Sequence, residues 1–504
     1  MKALSLSLSF AMALAMTPAS TFAQDAASDP AQTSSIASPR DQALTPDQVR
    51  EDLDLARKAL EEIHPGYTRY TSATALDALW KDAAAQALAK PTRGEVYRQI
   101  SRVLAAIRCD HTKAELPGDF EKARAEEPLY LPFRYAIFDG RLYVKEAGST
   151  NLVPGTEILA IDGNPAGEII GKVFELFPVD GDTDHIKGES VVDPGEFLGP
   201  AFDHFYPFLY DIQAEAKLTL AGTGQVTVNR LTYKQYVEET GNVRFASNFD
   251  DAVTFKRLSD TAAYLSVDTF VNYRRPVDPD TIYAPVFEEL AQSGAETLIL
   301  DLRRNGGGSD DAQTGLVQWL MPAAFRQADA VLVKNDRLDP ELKPYLQTWV
   351  EAALNPDPSW FKQREDGMFE IINPFAGKAK ESIAAKPGAF TGKVIVLTSS
   401  DNASGVTHLL SVLKTQRPDT VFIGERTGGA ATGATAGILY YLTLPNSGAK
   451  VRVPLQRQEI TNSDQLDPRM GITPDILAPD TLLSKLTGTD PAMEAAVAYL
   501  SKAD

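Results

Sequence analysis

Two stretches decide the fold: ETLILDLRRNGGG at residues 296–308 and KVIVLTSSDNASG at residues 393–405. Each begins with a run of apolar residues, which is typical of a strand that is buried on both faces. Each ends in a turn rich in Gly, Ser and Asn. Helical patterns follow both turns, over about residues 310–320 and 404–414, and a further strand pattern, TVFIG, occupies residues 420–424. This alternation predicts βαβ units around a parallel sheet.

The two turns stand at the carboxyl ends of the predicted strands, where open α/β sheets place their sites. The first contains Gly306-Gly307-Gly308, whose backbone N–H groups could face a developing negative charge. A plain turn and a phosphate loop are the alternatives, although the Lys-Ser/Thr pair of a P-loop is missing. In the second turn, Ser404 begins the next helix, either as a nucleophile or as an ordinary N-cap. The N–H of Gly405 is then a candidate oxyanion donor.

The first third of the chain predicts helices. TPDQ at residues 45–48 and TRGE at residues 92–95 match the capping-box pattern, and a further helix is expected over about residues 74–88. This helical unit ends near His111. From about residue 129 the pattern changes to short strands, and VPGTEILAIDG at residues 153–163 predicts a β-hairpin followed by a helix over residues 168–177. The hairpin segment resembles one found in PDZ domains, with an ordinary hairpin as the alternative.

Composition narrows the class of protein. A chain of 504 residues predicts about three structural units at roughly 150 residues each. The 49 basic and 68 acidic residues give a net charge of −19, which argues against nucleic-acid or anionic-membrane partners. A single cysteine excludes an intramolecular disulfide and a thiolate zinc site. The five histidines are few enough to consider individually as bases.

Residues 1–23 have the pattern of a signal peptide. Lys2 precedes an apolar run over residues 3–16. In Thr21-Phe22-Ala23, the first and last residues are the small ones that a signal peptidase needs for cleavage after Ala23. The run is shorter than the approximately 20 residues that a membrane-spanning helix needs. We therefore expect an exported, periplasmic protein without a membrane anchor.

Several motifs occur in the order found in one known family. LILDLRRNGGG, VIVLTSSDNASG, IGERTGG at residues 423–429 and GITPDI at residues 471–476 together resemble the tail-specific (C-terminal processing) protease superfamily. EEIHPGYTRY at residues 61–70 and LAAIRCDHT at residues 104–112 are similar to the branch that includes the tricorn core and interphotoreceptor retinoid-binding protein. The resemblance covers most of residues 45–480.

The resemblance implies an α+β multidomain fold, with an N-terminal helical domain, a β-rich PDZ-like middle region and a C-terminal α/β (ClpP/crotonase-like) catalytic domain. The expected boundaries follow the chain: signal peptide 1–23, flexible leader 24–42, helical domain 43–115, β-rich region 116–250 and catalytic domain 251–500.

The resemblance also implies an exported serine peptidase that acts on peptides or unfolded proteins without a cofactor. Ser404 corresponds to the nucleophile, and Gly405 and Gly307 to the oxyanion hole. A non-catalytic ligand-binding protein and a serine esterase are the alternatives on the same fold.

The base is expected to be a histidine. The tail-specific branch carries a lysine in the turn that here reads TGGA at residues 427–430, and no lysine stands there. The tricorn-like branch instead implies His111 as the general base. Asp467 matches the orienting carboxylate, with Asp110 as the alternative.

The other histidines have structural interpretations. His64 is expected to cap a helix end, His185 and His204 lie in loop or aromatic-rich stretches, and His408 lies on the helix surface one turn after Ser404. The run DGDTD at residues 180–184 mimics the start of a calcium loop, but His and Val replace the glycine and the final acid of that pattern. We interpret it as a solvated acidic loop.

Overall fold

The computed structural model describes residues 38–193, 197–241, 248–372 and 380–503. The predicted signal peptide and leader residues 24–37 lie outside this part of the chain. Within it, no helix is both long and apolar enough to cross a membrane.

The α-helices alternate with strands after a helical start. In chain order they are α1 Pro46–Ile63, α2 Ala73–Ala89, α3 Arg93–Ile107, α4 Gly118–Glu126, α5 Ala166–Leu176, α6 Lys187–Ser190, α7 Ala201–Leu209, α8 Tyr233–Thr240, α9 Asp280–Ser293, α10 Asp310–Leu320, α11 Ser404–Gln416, α12 Leu482–Thr487 and α13 Pro491–Ala503.

The strands fall into three sheets. In chain order they are β1 Ala114–Glu115, β2 Arg134–Phe138, β3 Arg141–Glu146, β4 Glu157–Ile161, β5 Asn164–Pro165, β6 Glu215–Leu220, β7 Gly224–Asn229, β8 Val253–Arg257, β9 Ala262–Val267, β10 Thr297–Asp301, β11 Ala328–Val333, β12 Leu346–Gln347, β13 Phe361–Gln363, β14 Phe369–Ile371, β15 Lys393–Thr398, β16 Val421–Gly424, β17 Thr435–Thr443, β18 Lys450–Ile460 and β19 Ile476–Leu477.

The helical start of the chain is confirmed. Thr45 and Gln48 form the predicted reciprocal capping box of α1. The second predicted box is only half formed: Thr92 accepts the Glu95 N–H, but the Thr92 N–H donates to the Lys90 carbonyl rather than to the Glu95 carboxylate. Residues 38–42, the end of the predicted flexible leader, contact the folded chain, since the Ser38 hydroxyl donates to Glu127.

The middle of the chain forms an antiparallel sheet in the order β2-β3-β4-β6-β7, with β5 on β4. The predicted hairpin is present, because β4 turns into β5 through Asp162 and Gly163, which both have positive φ. Helix α5 packs against β3 and β4 and against α3. The sheet and the N-terminal helices therefore share one hydrophobic core.

The parallel sheet of the last third has the order β19-β16-β15-β10-β9-β8. All of its neighbouring pairs are parallel except β8 with β9. Helices α9, α10 and α11 connect its strands, as the βαβ pattern predicts. Its turns after β10 and β15 meet at one edge because β10 and β15 are adjacent and parallel.

The expected α/β domain also contains a second sheet that the sequence patterns did not indicate. This antiparallel sheet has the order β12-β17-β18-β11-β14-β13, with β1 also on β18. Its strands β17 and β18 contribute to the same core as the N-terminal helices. The helical unit is thereby fixed against the last third of the chain.

Candidate active site

Ser404 stands at a strained turn between β15 and α11. Its φ is +54°, a left-handed conformation that costs a non-glycine residue about 1–3 kcal/mol. The N-cap of α11 is Ala403, and no side chain caps this helix. The interpretation of Ser404 as an ordinary N-cap is therefore wrong, and its hydroxyl is available to another partner.

That partner is His111. The Nε2 of His111 lies 3.1 Å from the Oγ of Ser404, across 293 positions of sequence. His111 follows α3, and the loop that carries it is held by the adjacent Thr112, whose Oγ1 lies 2.8 Å from the Nε2 of His64. The two residues implied as nucleophile and base thus meet at hydrogen-bond distance.

The glycine turn packs directly against the Ser404 turn. Gly307 has a φ of +103°, and a Cβ at this position would stand 2.8 Å from both the Gly405 nitrogen and the Ser404 Cβ. Only glycine permits this approach without displacing the backbone. Gly308 is close as well, because its nitrogen lies 3.5 Å from the position that a Cβ on Gly405 would occupy.

The amide of Gly307 is not available as an oxyanion donor. Its N–H donates to the Oδ1 of Asn305 at 2.8 Å. By contrast, the N–H groups of Gly405 and Gly308 have no acceptor within the described parts of the chain. The Gly307 expectation therefore needs correction: Gly307 allows the close approach, and Gly308 supplies the second free amide.

Asn402, which the sequence analysis did not single out, joins the turns of this edge. Its fully buried side chain donates to the carbonyls of Leu302 and Asn305 at 2.6 and 3.1 Å. Its Oδ1 accepts the Ser399 N–H, and its carbonyl accepts the N–H groups of Gly428 and Gly429. An Asn two residues before the predicted nucleophile was the only sequence signal for this role.

The two expected orienting carboxylates are placed elsewhere. Asp110 forms an ion pair with Lys113 at 3.0 Å, and the exposed Asp467 accepts the Arg469 N–H. Within the described residues, neither carboxylate is hydrogen-bonded to His111. Asp467 is separated from the base because its local turn directs it to solvent, and Asp110 is directed to Lys113.

Asp180 is the carboxylate that the sequence analysis missed. The interpretation of residues 180–184 as a solvated loop is wrong for Asp180, which is 2% exposed. A carboxylate oxygen of Asp180, a ring nitrogen of His111 and the Sγ of Cys109 all lie within 4.8 Å of one another. Its Oδ1 accepts the Asp110 N–H at 2.8 Å and its Oδ2 accepts the Ala430 N–H at 3.4 Å.

Among the described residues, these same three form a group that could hold a metal ion. Cys109 is buried, its Sγ donates to the Thr435 carbonyl, and burial raises the pKa of its thiol to about 12. Cysteine binds zinc as the thiolate, so this buried thiol is poorly suited to be a zinc ligand.

The remaining four histidines lie at hydrogen-bond distance from groups other than Ser404, and only the helix-end position of His64 was expected in detail. His64 caps α1, is fully buried, and its Nδ1 accepts the Gly66 N–H; burial lowers its pKa to about 3. His185 and His408 lie 3.1 and 3.2 Å from the carbonyls of Arg426 and Gln327, and His204 lies 2.8 Å from the Tyr97 hydroxyl.

Comparison with known proteins agrees with this geometry. Residues 261–478 match the family model described as Peptidase family S41. No curated protein sequence matches the chain.

Three solved structures illustrate the structural likeness. Mature CPAF complexed with lactacystin is 14% identical with a TM-score of 0.53, over 90% of this chain and 98% of that chain. A CPAF mutant is 14% identical with a TM-score of 0.56, over 87% and 95% of the two chains. The photosystem II D1 C-terminal processing protease is 17% identical with a TM-score of 0.40, over 89% and 99%.

The likeness to CPAF shows a shared fold, and the family match covers the parallel strands β9, β10, β15, β16 and β19 together with both turns of the site. The chain is therefore a serine peptidase, and its residues 261–478 match peptidase family S41.

Proposed function

We propose that this protein is an exported peptidase that hydrolyses peptide bonds through a Ser404–His111 acyl-enzyme mechanism. The observation that carries the proposal is the 3.1 Å contact between His111 Nε2 and Ser404 Oγ. A base at this distance can take the hydroxyl proton while the oxygen attacks a carbonyl carbon.

The glycine turn supports the next step. Attack on the carbonyl places negative charge on its oxygen, and the free N–H groups of Gly405 and Gly308 lie beside Ser404 to receive it. His111 then gives its proton to the leaving amine, and the amide C–N bond breaks. Water then attacks the Ser404 ester while His111 accepts its proton, and the acid is released as Ser404 recovers its hydrogen. The cycle needs no cofactor.

Peptides or unfolded proteins are the proposed substrates. We also propose that residues 1–23 direct the chain to the periplasm, where the mature protein begins at Gln24. Cell fractionation and N-terminal sequencing test this localisation. A protein that is found in the cytoplasmic fraction and retains residues 1–23 would contradict this localisation.

The peptidase activity is tested with a peptide library and mass-spectrometric detection of new termini. We expect cleavage by the native protein and none by Ser404→Ala. Hydrolysis of simple esters without cleavage of any peptide would instead support a serine esterase. Peptide binding without cleavage would support a non-catalytic protein and overturn the proposal.

A further inference from the structure

His111 has a second ring nitrogen that the Ser404 contact does not use. To accept the Ser404 proton, Nε2 must be unprotonated, so the neutral ring must carry its hydrogen on Nδ1. This Nδ1 is buried, and within the described chain it has no hydrogen-bond partner. A buried N–H without an acceptor is unfavourable, because it has lost its hydrogen bonds to water without replacing them. The proposed mechanism therefore requires an acceptor beside the ring.

Asp180 is in place to be that acceptor. One of its oxygens lies within 4.8 Å of a His111 ring nitrogen, and hydrogen bonds of this kind often shorten only when substrate is bound. The carboxylate is held from both sides, by the amide of Asp110 next to the base and by the amide of Ala430. Ala430 belongs to the turn of residues 427–430, which contains no lysine and contributes a backbone N–H to Asp180 instead.

The loop that carries Asp180 is fixed independently of His111. The Gly181 N–H donates to the Arg108 carbonyl at 3.0 Å, and the Thr183 hydroxyl donates to the Asp180 carbonyl at 2.6 Å. Gly181 has a φ of +54°, and a Cβ there would stand 2.2 Å from the Arg469 carbonyl oxygen. The position of Asp180 is consequently set by its own loop, so it can orient the histidine.

The groups around Asp180 change its pKa in opposite directions. Burial raises the pKa of Asp180, a positive His111 lowers it, and Asp110 raises it. Asp180 also interacts electrostatically with Cys109 and Tyr70, and His111 with His64. An imidazolium formed beside a buried carboxylate is stabilised by it.

We propose that Asp180 is the positioning residue that keeps His111 in its Nδ1-protonated form and stabilises the imidazolium created when Ser404 loses its proton. In this step the Ser404 O–H bond breaks, the Nε2–H bond forms, and Asp180 stays ionised throughout. The inference rests on the proposed function, because it concerns the same base.

The test compares Asp180→Asn with Asp182→Asn, a change on the same loop that lies outside the site. The rate of fluorophosphonate labelling at Ser404 is measured across pH. We expect a loss of about 100-fold or more in Asp180→Asn. We also expect the acidic limb of its profile to move to lower pH, because the imidazolium loses its stabilising carboxylate. Asp182→Asn keeps the native profile, and Asp180→Glu recovers part of the rate.

Two further measurements separate the outcomes. Nitrogen-15 NMR of the His111 ring reads the tautomer without any need for activity, and we expect the Nδ1-protonated form in the native protein but not in Asp180→Asn. A native profile and tautomer in a folded Asp180→Asn would overturn the inference. A metal site at these residues would also overturn the inference. It would be detected as a labelling rate that changes with chelator or zinc in the native protein but not in Cys109→Ala. Absence of labelling in the native protein would instead reject the proposed function. The NMR result would then decide whether Asp180 positions His111.

Discussion

At the scale of single residues, the site depends on backbone geometry as much as on side chains. Ser404 adopts φ +54° and Gly307 adopts φ +103°. The two turns are in close contact, because a Cβ added to Gly307 would lie 2.8 Å from the Cβ of Ser404. The sequence motifs correctly indicated that these turns matter. They could not distinguish Gly307 from Gly308 as amide donor, because that choice depends on the hydrogen bond to the Asn305 side chain.

Gly307→Ala tests this close contact. The added methyl group must displace Ser404 or Gly405, and alanine is strained at φ +103°, so we expect labelling of Ser404 to fall by about 100-fold or more. Gly171→Ala, an exposed position on α5 with open space around its Cα, is the matched control and should label normally. Equal rates in the two variants would contradict the geometry of the turn.

Asp180 shows the limit of local patterns at this scale. Its acidic neighbours Asp182 and Asp184 do form ion pairs near the surface, with Arg469 and Arg108 respectively, as a solvated loop would. Asp180 differs because it is bonded to amides 70 and 250 positions away along the chain. Contacts at such separations leave no periodic signal in the sequence.

At the scale of elements, the helices and parallel strands on either side of the two site turns were predictable because each carries its own signal. The pattern over residues 310–320 matches α10, and KVIVLT matches β15. The antiparallel sheet was not predictable, since β11 pairs with β18, which is more than 100 residues later. Its register depends on tertiary packing, with an irregularity between Ala328 and Ala330, rather than on a hairpin turn.

The turn between β15 and α11 also contains a charge that affects stability. Burial, followed by Glu189 and Asp193, raises the pKa of Asp401 to about 7, while Lys485 lowers it. An unfolded aspartate titrates near 4. Between about pH 4 and pH 7 the folded protein therefore binds more protons at Asp401 than the unfolded chain does, and this group reduces stability as the pH rises.

Asp401→Asn removes that pH dependence. We expect the variant to gain thermal stability relative to the native protein at pH 8 and to gain much less at pH 4, as measured by Tm at both pH values. Asp260→Asn, a change at a fully exposed carboxylate, serves as the control and should leave the pH dependence unchanged. An Asp401→Asn protein with the native difference between the two pH values would show that folding does not raise the pKa of Asp401.

At the scale of the whole molecule, the site exists because distant parts of the chain are fixed against each other. His111 follows the N-terminal helices, and Ser404 follows strand β15 of the parallel sheet. The N-terminal helices share one core with β17 and β18, and β18 in turn contacts α11, the helix that begins at Ser404. Asp52 of α1 adds a polar connection: fully buried, it accepts the N–H groups of Asn446 and Ser447 between β17 and β18 at 3.0 and 2.7 Å.

Asp52→Ala breaks that connection. It leaves the buried Ser447 N–H without its acceptor, so we expect the free energy of unfolding to fall by about 1–3 kcal/mol. Denaturant unfolding measures the change. Asp54→Ala, two positions away on the exposed face of α1, is the matched control and should change stability by less than about 0.5 kcal/mol. Equal losses of unfolding free energy in both variants would mean that Asp52 does not connect α1 to the segment between β17 and β18.

The most direct test of the account is the mass-spectrometric location and rate of fluorophosphonate labelling in the native protein, Ser404→Ala and His111→Ala, with the exposed His185→Ala as control. The account predicts one adduct, on Ser404, that is absent in Ser404→Ala, strongly slowed in His111→Ala and unchanged in His185→Ala. An adduct that persists in Ser404→Ala, or a native rate in His111→Ala, would contradict it.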